Sequence, residues 1–249
     1  FFVCLFVWLM ASLKLLAFSE TSISISILCL TMVSVTTIIS LKKEFIDFIR
    51  RQWSLIVISE LIFLAAFASF ILIRMANPDL WHPIRGGEKP MDMAYLNAVL
   101  RSSFMPPYDP WFGGGYLNYY YWGQFIVANL IKSTGIHPNV AYNLAVPTFF
   151  ALTVSAVFTI VFNLVEASRR ALSSQISITN KFITSTKKIN IGSIVTGILA
   201  ALFAAVIGNL DGIIQMIEGV WRIVFLDLPF GQFDFWRSSR MMPPDPPGF

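Results

Sequence analysis

Glu88 and Asp92 stand four residues apart in the stretch Arg85-Gly-Gly-Glu-Lys-Pro-Met-Asp-Met, around the start of a predicted helix. Acidic side chains there complement the positive end of the helix dipole. Either one also suits a general base or a metal ligand, because a partly desolvated carboxyl near a bilayer surface has its pKa raised toward a working value. The spacing leaves both readings open. Arg85, Lys89 and Arg101 surround the pair and have the charge to hold a phosphate or to meet lipid headgroups. Asp109 and Asp234 are further carboxylates. An aromatic run, Trp111, Phe112, Tyr116, Tyr119, Tyr120, Tyr121 and Trp122, fits an interfacial belt or a stacking surface for a sugar or a prenyl chain. His82 and His137 are the two histidines, and neither lies near a cysteine or in a Glu-x-x-His pattern, so no zinc motif is present.

The elements that position these residues follow from composition. The 249 residues are 56% hydrophobic and 13% charged, with a mean hydropathy of +0.68. Soluble domains carry about 25% charged residues, so the composition excludes an ordinary soluble fold. Cys4 and Cys29 lie inside apolar runs and form no disulfide framework. The net charge of +4 comes from basic residues in short segments between apolar runs, a membrane-topology pattern and not a nucleic-acid face. The chain opens inside an apolar run without an initiator Met and ends in a Pro-rich stretch, so it reads as a fragment of a larger polytopic protein.

Five apolar segments, 1–18, 22–41, 54–73, 139–164 and 191–209, approach the roughly 20 residues that a crossing requires. The predicted fold is therefore all-α: a single polytopic transmembrane domain over 1–249 with about five transmembrane helices. Loop 42–53 carries Lys42, Lys43, Arg50 and Arg51, and loop 165–190 carries Arg169, Arg170, Lys181, Lys187 and Lys188, each in excess over acids. The positive-inside rule puts both in the cytoplasm of a cell with this protein in its plasma membrane. It puts loop 74–138 and the tail 210–249 outside. Segment 139–164 supplies the one crossing needed between outside and inside. The stretch 119–133 is then a short interfacial or re-entrant helix, and 212–226 reads the same way, with Glu218 and Arg222 at i, i+4.

The outer loop is too long for a passive connector. Pro90 suits the first turn of a helix, and Pro106-Pro107 ends it. Met93, Leu96, Leu100 and Phe104 share one face, with Asp92, Tyr95 and Arg101 off it, as in a helix lying on the membrane surface. Gly113-Gly114-Gly115 gives the chain freedom to approach a ligand or to turn tightly. Glu60 sits inside a span near its cytoplasmic end, and Lys14 is placed similarly in the first run; both can snorkel.

The runs NPDLWHPIRGGEKPMDMAYLNAVLRS, PPYDPWFGGGYLNYYYWG, GIHPNVAYNLAVPT and FDFWRSSRMMPP resemble the YYY-type membrane protein family of bacteria and archaea, a domain of unknown function. More distantly, the order of Asp92, Pro106-Pro107, Tyr119–Tyr121, a full crossing and Arg169-Arg170 is similar to the GT-C superfamily of glycosyltransferases. That likeness implies a lipid-linked sugar donor, commonly a polyprenyl phosphate sugar, used at the outer membrane face. Asp92 then matches the acidic base, with Glu88 as its rival. Arg85, Lys89 or Arg101 would neutralise the phosphate, and Tyr119, Tyr120 and Tyr121 would line the donor's approach. Asp109 and Asp234 are spare carboxylates on that side, and a divalent metal between outer-loop acids is compatible with the chemistry without being required. The adjacent acidic pair usual in that superfamily is absent, since Gly87 precedes Glu88 and Met91 precedes Asp92. The alternative expectation is a transporter or a lipid-binding or structural membrane protein without catalysis.

Overall fold

The computed structural model describes residues 1–76, 78, 80, 88–179, 190–207 and 211–231. Among them every regular element is helical: α1 (Phe2–Ser12), α2 (Glu20–Ser40), α3 (Lys42–Ala76), α4 (Lys89–Arg101), α5 (Trp122–Thr134), α6 (Pro138–Thr179), α7 (Ile191–Leu202) and α8 (Asp211–Leu226), with a π-helical turn at Phe203–Ile207. Among the described residues three helices are long and apolar enough to cross a membrane: α2, α3 and the Pro138–Leu172 part of α6. Within the same described residues, α1 ends at Ser12 and a further apolar helix covers Ile191–Ala205, each shorter than those three.

Segment 42–53 is not a loop. It forms the first turns of α3, separated from α2 by Leu41 alone. Lys, Glu and Arg are good helix formers, so a charged stretch marks a change of environment without interrupting the helix. Asp47 and Arg51 pair across one turn there at 3.7 Å. Likewise α6 runs through 165–179 before the described residues stop.

Two compact units divide the chain, Phe1–Phe149 and Phe150–Phe249. In the first, Ser19 caps α2 reciprocally with Ser22: the Ser22 amide donates to Ser19 Oγ at 3.3 Å, and the Ser19 amide donates to Ser22 Oγ at 3.0 Å. A shared core joins Val7 and Ala11 of α1, Ile23 of α2, Leu96 and Val99 of α4, and Phe125, Ala128 and Ile131 of α5. Helix α5 ends on Gly135 at φ 71°, the left-handed position that favours glycine, and Pro138 opens α6 three residues later. In the second unit α6 and α7 approach closely. A Cβ on Gly197 would stand 2.8 Å from the Phe158 ring, and Glu166 accepts from Ser193 Oγ at 2.6 Å and Arg169 at 2.9 Å. Helix α8 covers the predicted 212–226 helix.

Candidate functional site

Helix α4 begins where Pro90 places it and carries Asp92 in its first turn. Its buried side is Tyr95, Leu96 and Val99, with Met93 and Leu100 packed beside them against the core that α5 shares. The apolar stripe thus packs on protein, chiefly α5. Phe104 lies beyond the helix end, and Tyr95, expected off the stripe, is buried. Its ring packs edge-on to Trp111 at 5.3 Å and against Tyr119 at 5.9 Å. An aromatic ring buries like any apolar group once its hydroxyl end reaches a polar neighbour.

Both oxygens of Asp92 are engaged. Gln124 Nε2, in the first turn of α5, donates to Oδ1 at 3.0 Å, and the Tyr142 hydroxyl, in the second turn of α6, donates to Oδ2 at 3.3 Å. Three helices therefore meet on one half-buried carboxyl. Burial pushes its pKa above the ordinary carboxyl range; the two hydrogen bonds oppose that rise, and the nearby Glu88 charge adds to it. Gln124 Oε1 is buried and has no hydrogen-bond partner among the described residues. Rotation of this amide would present an acceptor to a protonated Asp92, so the site can accommodate both protonation states.

Near Tyr142, Arg74 at the last turn of α3 donates from Nε to Asn143 Oδ1 at 3.1 Å and again from Nη2 to the same oxygen. Asn143 Nδ2 in turn donates to the Pro78 carbonyl at 3.3 Å and the Asn139 carbonyl at 3.1 Å. The Arg74 charge reaches the Tyr142 hydroxyl. Sequence reasoning singles out none of Arg74, Gln124, Tyr142 and Asn143. Tyr142 and Asn143 lie in the GIHPNVAYNLAVPT run, the one sequence signal near them.

The residues that the sequence does single out are spread along α4 and beyond it. Glu88 is exposed, immediately before α4, and its carbonyl accepts from the Asp92 amide at 2.9 Å. Lys89 is half-buried one turn ahead of Asp92. Arg101 closes the other end of α4, about 13 Å along the axis at 1.5 Å per residue, and is exposed. Asp109 holds its own loop, with Oδ1 accepting from the amides of Trp111 at 2.8 Å and Phe112 at 3.0 Å. Tyr119 and Tyr120 lie exposed with ring centroids 4.2 Å apart, and the Tyr120 pKa is pushed up to about 12, first by its hydrogen bond to Tyr119. Tyr121 faces elsewhere, accepting from Trp8 Nε1 at 3.0 Å. The three tyrosines thus divide between two surroundings and do not form one lining. His137 Nδ1 accepts from the Asn139 amide at 3.4 Å at the start of α6. Arg85, His82 and Asp234 lie outside the described residues. Among the described residues no three His, Cys, Asp or Glu side chains converge as a metal site.

No curated protein and no solved structure matches this chain. A family profile described as uncharacterized membrane protein (DUF2298) matches residues 2–246, and the long apolar helices agree with that description. The chain therefore belongs to this family of uncharacterized membrane proteins.

Proposed function

We propose that the protein is a membrane glycosyltransferase of GT-C type. It would transfer a sugar from a polyprenyl phosphate donor to an acceptor hydroxyl at the outer face of the plasma membrane. The observation that carries this reading is Asp92, a half-buried carboxyl with a raised pKa, fixed by Gln124 and Tyr142 beside three helix ends. In the reaction the acceptor oxygen bonds to the anomeric carbon as the bond from that carbon to the phosphate oxygen breaks. The electron pair leaves with the polyprenyl phosphate, and the acceptor proton passes to Asp92. A phosphate leaving group needs little acid assistance, which suits a site built around one base. Lys89, a turn ahead of Asp92, would meet the donor phosphate, and Arg74 would add a second positive charge on the Tyr142 side. Arg101, at the far end of α4, fits a headgroup contact better.

The same engagement of both carboxylate oxygens favours one alternative, a lipid-binding or transport protein in which Asp92 is a polar latch joining α4, α5 and α6. Native mass spectrometry of the full-length protein, wild type beside Asp92→Asn, separates the two. A polyprenyl phosphate sugar accumulating on the variant supports a stalled transferase. Retention of ordinary phospholipids alone by both forms overturns it.

A further inference from the structure

Between α4 and α5 the chain makes a small hairpin whose surface no part of the proposed reaction uses. Its root is fixed. The Phe18 amide donates to the Ser103 carbonyl at 2.7 Å, and Leu117 donates to the Pro107 carbonyl at 2.8 Å. Met105, Pro107 and Leu117 are buried. Phe18 immediately precedes the cap of α2, so the hairpin springs from the first turn of a helix long and apolar enough to span. Helix ends of this kind lie where hydrocarbon gives way to headgroups.

The tip is rigid as well as apolar. The Asp109 amide donates to the Gly115 carbonyl at 3.0 Å, and Gly115 donates to the Phe112 carbonyl at 3.1 Å. Gly114 turns the chain at φ 81°. The Tyr108 and Tyr116 rings stack at 4.9 Å across it. Its rings nonetheless face outward: Tyr108 is 62% exposed, Trp111 61%, Phe112 70% and Tyr116 55%. Asp109 is the single charged residue from 105 to 117, and the two amides that it accepts turn one of its oxygens inward. Four large aromatic side chains held open to water are unfavourable unless something apolar covers them. Trp and Tyr are the residues that settle at the headgroup level of a bilayer, and a preorganised tip gives up little conformational entropy on entering it.

We propose that the hairpin Met105–Leu117 is a membrane anchor whose aromatic tip inserts into the interfacial layer of the same bilayer that α2 spans. It sets the height of α4 through the Trp111–Tyr95 contact, and with it the height of Asp92 above the hydrocarbon. This inference does not depend on the proposed reaction. The test uses the full chain with Cys4 and Cys29 replaced by Ala, carrying Phe112→Cys labelled with an environment-sensitive fluorophore, in phosphatidylcholine nanodiscs. Ser133→Cys, at the end of α5, serves as the reference. The label at 112 is expected to emit to the blue of the reference and to lose most of its emission to lipids spin-labelled near the headgroup, while resisting aqueous iodide. Quenching by iodide and not by lipid overturns the proposal in favour of a soluble ligand. A blue-shifted label that neither quencher reaches also overturns it, in favour of a protein partner. Tyr116→Cys repeats the measurement on the opposite strand, so a defect peculiar to one position cannot decide it.

Discussion

The guanidinium of Arg74 closes on the side-chain oxygen of Asn143 across 69 residues of sequence, joining the last turn of α3 to the second turn of α6. Two helices of span length thus have neighbouring ends, and the segment between them leaves and returns at one place. Removing either partner leaves the other with an unmet polar group in a half-buried position. Arg74→Ala and Asn143→Ala are each expected to cost about 1.5–3 kcal/mol. In a double-mutant cycle, read by thermal unfolding in detergent, their effects should fall short of additive.

The raised pKa of Asp92 has a signed consequence for stability. Over the window between the ordinary carboxyl value and the folded one, the folded chain holds a proton that the unfolded chain has released. Stability therefore falls as pH rises through that window and levels off above it. Asp92→Asn removes the descent while keeping acceptors and donors for Tyr142 and Gln124. Thermal unfolding of the variant should be flatter than wild type across the window and should lie above it at neutral pH.

Gln124 donates to the ionised form of Asp92, so it opposes the effect of burial. Gln124→Leu is expected to move the acid limb of kcat/KM to higher pH in a transfer assay, and Tyr142→Phe should shift it the same way. An acid limb unmoved by both substitutions would separate Asp92 from the proton-accepting role.

Part of this arrangement is legible in the sequence. Pro90 and the Pro106-Pro107 pair bracket α4, and the length of 119–133 argues for a short helix, which α5 is. The partners of Asp92 are not legible. Gln124 and Tyr142 lie 32 and 50 residues away and are ordinary residues in their own helices, so no local spacing announces them. Tyr95 reads as a polar residue off the apolar stripe, although its ring is what the fold buries. The charges at 42–53 suggest a loop only if charge is equated with irregular chain. Charge reports where a segment suits water, and a helix can run on unbroken from a charged stretch into an apolar one, as α3 does.

Glycines offer a contrast within helices. In α7, a methyl group at 197 would press on both the ring and the backbone oxygen of Phe158, at 2.8 and 3.1 Å. Gly197→Ala is expected to destabilise by about 1–3 kcal/mol. In α5, a methyl group at 123 meets nothing within 4 Å, and Gly123→Ala is expected to stabilise by about 0.5–1 kcal/mol. Thermal unfolding of the two variants should move in opposite directions.

Pro147 lies inside α6, one turn after Asn143. Having no amide hydrogen, it withholds the bond that the Asn143 carbonyl would otherwise receive, and its ring crowds that same carbonyl. The residue that grips Arg74 with its side chain is thus the one at which the helical ladder is missing a rung. A long helix is usually stiff from end to end, and a missing ladder bond at a proline is where such a helix bends most easily. Tyr142, which holds Asp92, stands on the near side of that missing bond, so the contact on the carboxyl hangs on the geometry of the first turns of α6. Backbone geometry in those turns is thus one determinant of how firmly Tyr142 opposes the rise in the Asp92 pKa.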